Sequence, residues 1–278
     1  GLNRWKAVNL FDQIPLLAVA FICIVLQVLF IEAGFHYGRQ RGGKGYKAQM
    51  AQVRAIMGAS LGLLAFMLAF SFSIAQQHFE ERSRAYMMEV SAIDSAFRGA
   101  DLLTSDARVL AQDMLDQFAK LRLATTEAVK AADTERVVEM IRESERIHDV
   151  LWSLAESAMD NEGADTSLFA QSVLTMIGAH DARLQAAIFN RISPVIWVTL
   201  LLMAILSMLV MGYQAGLTGT RSRLATWTLA ATFAVVMTLI TDLDRPNMTL
   251  FQMNQGLMVE LENRMERELS GDTGTILP

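Results

Sequence analysis

Four uncharged apolar stretches, each long enough to cross a bilayer, constrain this chain more than any other feature. They occupy residues 14–31, 55–75, 195–211 and 224–240. A spanning helix needs roughly 20 apolar residues, within about 17–25, and the last two stretches reach that length with their flanks. Buried core helices are the alternative, which these lengths disfavour. Charged residues make up only 19% of the 278, against about 25% in an ordinary soluble domain, and their confinement between the blocks excludes a plain soluble globule. Cys23, the single cysteine, lies inside the first stretch, so no intrachain disulfide can form. The chain starts at Gly1 rather than Met, which points to a trimmed start or a tag remnant. The first stretch ends without a small-x-small cleavage pattern, so it is expected to remain as a span.

Residues 77–193 separate the second and third stretches and contain no proline and three glycines, Gly99, Gly163 and Gly178. Apolar residues recur there at helical spacing. Val109, Leu110, Met114, Phe118 and Leu121 form one stripe; Val137, Val138, Ile141, Ile147, Leu151 and Leu154 a second; Phe169, Val173, Ile177, Leu184 and Ile188 a third. Ser105 and either Asp133 or Thr134 are the candidate N-caps, and Asn161-Glu162-Gly163 reads as a break. Residues 75–100 carry no breaker, so the second span is expected to continue straight out of the membrane. The expected fold is therefore all-α: an integral membrane protein with four transmembrane helices and a long helical bundle inserted between helices two and three. The expected segments are 1–35 (N-terminal segment and first span), 36–54 (basic loop), 55–77 (second span), 78–193 (bundle), 194–213 (third span), 214–223 (short basic loop), 224–241 (fourth span) and 242–278 (acidic tail). In the tail, Leu257, Met258, Leu261, Met265 and Leu269 share one face of an amphipathic helix.

Charge sets the expected orientation. Arg39, Arg41, Lys44, Lys47 and Arg54 stand in the first loop with no acid, and Arg221 and Arg223 in the second. The long insert carries 20 acids against 12 bases, and the tail from Asp242 seven against three. Short loops rich in Lys and Arg stay cytoplasmic. The bundle and both termini are then expected in the periplasm of a bacterial inner membrane, against the opposing signal of Arg4 and Lys6. A net charge of -5 gives no reason to expect nucleic acid as a partner.

Four collinear segments resemble the bacterial bestrophin-like family. They are GLLAFMLAFSFSIAQQHFEERSRAYMMEVSAIDSAFRGADLL from Gly62, HDARLQAAIFNRISPVIWVTLL from His180, GYQAGLTGTRSR from Gly212 and TDLDRPNMTLFQMNQGLMVEL from Thr241. The most specific element is Asp242-Leu-Asp-Arg-Pro246 directly after the fourth stretch; Asn247-Met248-Thr249 stand where relatives often carry a glycine. The resemblance implies four membrane helices and, by analogy with bestrophins, a pentameric anion channel. Bestrophins keep the segment between helices two and three in the cytosol, opposite to the side that the charges indicate.

Several residues are candidates for function. Ser60, Ser71, Ser73 and Gln76 on helix two can line a polar path or serve helix–helix hydrogen bonds. Gly58-x-x-x-Gly62 lets another helix approach closely. Glu32, four residues from His36, is either a relay or cation-binding carboxylate or an interfacial one. Asp242, Asp244 and Arg245 form an ion-pair cluster, a cation site or pore mouth, or else a plain helix stop before Pro246. Glu89, Asp94 and Arg98 lie among small residues. Glu89 and Arg98 are expected to join Arg183 or Asp242 in a polar network at the membrane's outer edge, or to form a solvated face. The glycines Gly38, Gly42, Gly43 and Gly45 make a loose basic loop, for which orientation and lipid headgroups suffice. The four histidines show no paired spacing, so no metal and no cofactor is expected. No nucleophile elbow, P-loop or dinucleotide fingerprint occurs, so the chain is not expected to be an enzyme. The expected function is an oligomeric, bestrophin-like membrane channel or transport protein conducting anions, with the lipid bilayer and further copies of the chain as partners. The alternative is a membrane-anchored sensor, scaffold or accessory subunit whose bundle binds a partner protein.

Overall fold

The computed structural model describes residues 14–41, 46–131, 133–162, 166–219, 222–245 and 255–270. Among these residues all regular structure is helical. The helices are α1 (Leu16–Arg41), α2 (Tyr46–Gly99), α3 (Ser105–Lys130), α4 (Thr134–Glu162), α5 (Ser167–Phe189), α6 (Pro194–Thr218), α7 (Arg223–Asp244) and α8 (Gly256–Leu269), with a 3-10 turn at Ala100–Leu102. Four of them, α1, α2, α6 and α7, are long and apolar enough to cross a membrane. With 54 residues, α2 is about 80 Å long, far more than the roughly 30 Å of hydrocarbon. No proline or glycine pair interrupts it. Helix also extends through much of the two stretches expected as basic loops: α1 continues to Arg41, α2 resumes at Tyr46, and α6 continues to Thr218. Gly219 then ends α6 at φ 66°, in the left-handed region that a glycine enters without Cβ strain.

The chain forms two compact units. Of the described residues, one holds those within 14–79 and 191–245. There α1 packs along α6 and α7, and Leu64, Leu68, Leu200 and Ile240 fill the core. Leu17, Phe21, Leu29, Val195, Val198, Leu224 and Val235 remain exposed on the outside of its helices, as residues facing lipid would be. Ser193 caps α6 by accepting from the Val195 N–H, with Pro194 in the first turn, and Ser222 caps α7 by accepting from the Ala225 N–H.

The other unit holds the described residues within 80–190 and 255–270. Here α3 packs on α4 and α8, and α4 on α5. The core is built from Ile93, Leu115, Phe118, Leu151, Phe169 and Met176, closed by Met258 and Met265 of α8. Asp133 caps α4 by accepting from the Arg136 N–H at 3.1 Å. The buried face of α3 is rotated from the expected stripe: Val109 and Leu110 are exposed, while Ala111, Leu115, Phe118, Ala119 and Arg122 point inward. Alanines let α3 come close to its neighbours, and a stripe scored on large apolar residues misses them. Gly163 of the expected break, Ile188 of the third stripe as a side chain, and Gly42, Gly43 and Gly45 lie outside the described residues.

Candidate functional site

Three constellations bring chemistry-bearing residues together. The first is the contact of α1 with α6. Gly34 and Gly38 face Gly212 and Gly216, and a Cβ on Gly212 would stand 2.0 Å from the Ile31 carbonyl oxygen. Two Gly-x-x-x-Gly pairs thus let backbone touch backbone. Gly58 and Gly62 make no such contact: a Cβ at either meets nothing within 4 Å in the chain. The sequence holds the α1 and α6 pairs in plain view, at the same spacing of four.

On α2 the helical period sorts the polar candidates into two faces. Gly58, Gly62, Ala65, Ala69, Ser73 and Gln76 fall on one side, and all are exposed. Ser60 and Ser71 fall on the opposite side with Leu64 and Leu68. Ser71 is fully buried there, and its hydroxyl has no partner.

At the end of α7, Asp242, Asp244 and Arg245 are all buried. Asp244 Oδ1 accepts from the Ile192 N–H at 2.7 Å, and Arg245 Nη1 donates to the Ile14 carbonyl at 2.7 Å. The cluster therefore ties the chain leading into α6 and the chain leading into α1 to one helix end. Pro246 and Asn247-Met248-Thr249 lie outside the described residues. Glu32 and His36 stay at the surface of the single chain, with the imidazole 3.0 Å from the Glu32 carbonyl oxygen.

The third constellation is buried between α2, α3, α4 and α5. Glu89 is 0% exposed. His180 Nδ1 lies 2.9 Å from its Oε1, Arg122 Nε 3.0 Å from the same oxygen, and Arg183 Nη1 donates to Oε2. Arg183 also lies over the Tyr86 ring, 5.0 Å from its centroid, and the Tyr86 hydroxyl accepts from the Met258 N–H at 3.1 Å. His148, His180 and Phe118 form a trio of rings with centroids 4.9–5.5 Å apart. Burial alone would raise the Glu89 pKa; Arg122, the His180 hydrogen bond and Arg183 outweigh it and bring it down to about 2. Burial and the neighbouring His180 push His148 down to about 4, and burial lowers Arg122 to about 10 against the pull of Glu89. At neutral pH Glu89 is thus an anion, Arg122 a cation and His148 neutral. None of these three is poised near pH 7 for proton transfer.

Glu89 and Arg183 meet in this cluster. Arg98 does not join it: it pairs with Asp94 at 3.3 Å, and Asp94 also binds Arg264 of α8. Arg122 and His148 were not expected from sequence, although each sits on an apolar stripe, Arg122 four residues after Phe118 and His148 three before Leu151. Among the described residues no group of three or more His, Cys, Asp or Glu is placed to hold a metal ion.

With the geometry in hand, comparison places the chain. A bestrophin-like domain model matches residues 21–247. No curated protein sequence matches it. Among solved structures, the fold is similar to that of a membrane protein at 15% identity and TM-score 0.61, covering 95% of this chain and 99% of that one. It is similar too to two single-residue variants of a bacterial bestrophin homolog from Klebsiella pneumoniae. These are 15% and 16% identical, with a TM-score of 0.60 for each, and the match covers 94% and 93% of this chain and 99% and 98% of theirs.

Proposed function

The chain belongs to the bestrophin-like family, and from that premise we propose that it is an oligomeric membrane channel or transport protein for anions whose path is lined by α2. The observation that carries this reading is the uncovered face of α2. Gly58, Gly62, Ala65, Ala69, Ser73 and Gln76 form a stripe of small and polar residues that the chain's own helices leave exposed. Lipid gives no reason to align small and polar residues on one face. Copies of the chain arranged around an axis would place these residues along a common path. Ser73 and Gln76 supply hydroxyl and amide donors for an anion there. Ser60 and Ser71 fall on the buried face, so the path does not include them. Asp242, Asp244 and Arg245 are read as the knot that sets the ends of α1 and α6 in register, Gly58 and Gly62 as part of the path face, and Glu89 with Arg183 as an internal brace.

In this reading the unit built on α3–α5 and α8 is a helical bundle inserted between the second and third spans, and it lies on the outer side of a bacterial inner membrane. The charge of the short connections supports that side. No enzymatic step is proposed. The test is current across a planar bilayer holding the purified protein. Anion-selective current that falls in Gln76→Leu supports the reading. A protein that is monomeric in lipid and passes no current overturns it.

A further inference from the structure

The Glu89 cluster holds a surplus of positive charge in the core of its unit. Among the described residues Glu89 is the one carboxylate in contact with Arg122 and Arg183. Arg183 has other support: it lies over the Tyr86 ring and its side chain is 15% exposed. Arg122 has none. It is 4% exposed, its Nε stands 3.0 Å from Glu89 Oε1 but off the line of a hydrogen bond, and its Nη1 has no acceptor. The next helix presents a second unpartnered atom. His148 Nε2 is buried without a partner, on the ring that packs against His180 and Phe118. In the tautomer with its proton on Nε2, His148 adds a second unpartnered N–H donor to the same cluster.

A buried guanidinium with unpaired N–H groups costs several kcal/mol unless something meets both the charge and the donors. Water meets the donors and leaves the charge. A small anion meets both. We propose that the core between α2, α3, α4 and α5 takes up one monovalent anion of the halide class, held by Arg122 Nη1 and His148 Nε2. Two free donors and one surplus charge, walled by Phe118 and the core of the unit, suit a halide. A phosphate or sulfate would bring more charge and more acceptor atoms than these donors satisfy. The proposal does not depend on conduction.

The experiment measures thermal stability of the purified protein in detergent at pH 7.5, titrating chloride against gluconate at constant ionic strength. A ligand that binds the folded state alone raises the melting temperature with concentration. The expected result is a saturating chloride increment that disappears in both Arg122→Gln and His148→Phe, whatever their own melting temperatures. His148→Phe removes the donor while keeping an aromatic ring beside Phe118, so it tests the site even where Arg122→Gln folds poorly. In bromide-grown crystals an anomalous peak is expected in contact with both Arg122 and His148. Equal melting temperatures in chloride and gluconate would overturn the proposal. So would an increment kept in His148→Phe, or bromide bound only elsewhere with water in this position.

Discussion

Glu89 has no solvent to stabilise its charge, so its ionised form depends on groups from two other helices: the charge of Arg122 from α3, and His180 and Arg183 from α5. Removing it strands two arginines. Glu89→Ala is expected to cost about 3–5 kcal/mol, read as a drop in denaturant midpoint in detergent. Glu80→Ala, which breaks an exposed pair with Arg84, should stay within about 1 kcal/mol; equal effects for the two would deny the cluster its bracing role. The same cluster predicts a pH dependence. The folded pKa of His148 is about 4, below the roughly 6.5 of the unfolded chain. Its contribution is fully present above pH 6.5 and is lost as pH falls towards 4, because the unfolded state takes up the proton first. Glu89, at about 2 when folded, adds a second loss between about pH 4.5 and 2. Stability should therefore fall by up to about 3 kcal/mol between pH 6.5 and 4, and His148→Phe should flatten that segment while leaving the more acidic one. The sequence showed part of this site. Small residues around Glu89 announced a close neighbour, and Arg183 was within the candidates. Arg122 and His148 sit 33 and 59 residues further on, and one chain's periodicity says that a polar residue faces inward without saying which others it meets.

Helices α1 and α6 meet where neither has side chains to interpose. At Gly212 the obstruction is the Ile31 carbonyl, and at Gly38 the Tyr213 carbonyl; backbone cannot swing aside as a flexible side chain can. Gly212→Leu is expected to destabilise the chain by about 3 kcal/mol or more, seen as lost monodisperse protein after purification. Gly62→Leu should leave the melting temperature of the single chain unchanged, since nothing lies within 4 Å of its Cβ, and should alter only the assembly or the current. Destabilisation of both to the same degree would count against the assignment of these two glycine pairs to different partners. The elements themselves were legible, because an apolar run of 17–21 residues without charge has few alternatives to a helix, and Asp133 marks the start of α4 as an acceptor for a free backbone N–H. The face of α3 was less so. Alanine carries little weight in a hydrophobic stripe, yet Ala111 and Ala119 are fully buried because close packing selects for smallness.

At the scale of the whole molecule, the family and the four spans leave the sidedness of the acidic segment as the quantity that decides how the protein works. Charge and analogy pull in opposite directions. The connection between the first and second spans carries Arg39, Arg41, Lys44, Lys47 and Arg54 with no acid, whereas 77–193 carries eight more acids than bases. The insertion rule weighs Lys and Arg in short loops and gives long domains little say, so the five bases near the first two spans should hold that end in the cytoplasm. Cys23, the one native thiol, lies within α1 and is replaced so that only the introduced thiol can react. In a Cys23→Ser background, Asp160→Cys is expected to react with a membrane-impermeant maleimide in intact spheroplasts, and Arg41→Cys only after permeabilisation. The reverse pattern would place the segment in the cytosol, as in bestrophins, and would show that the basic loops had been tolerated outside against their electrostatic preference.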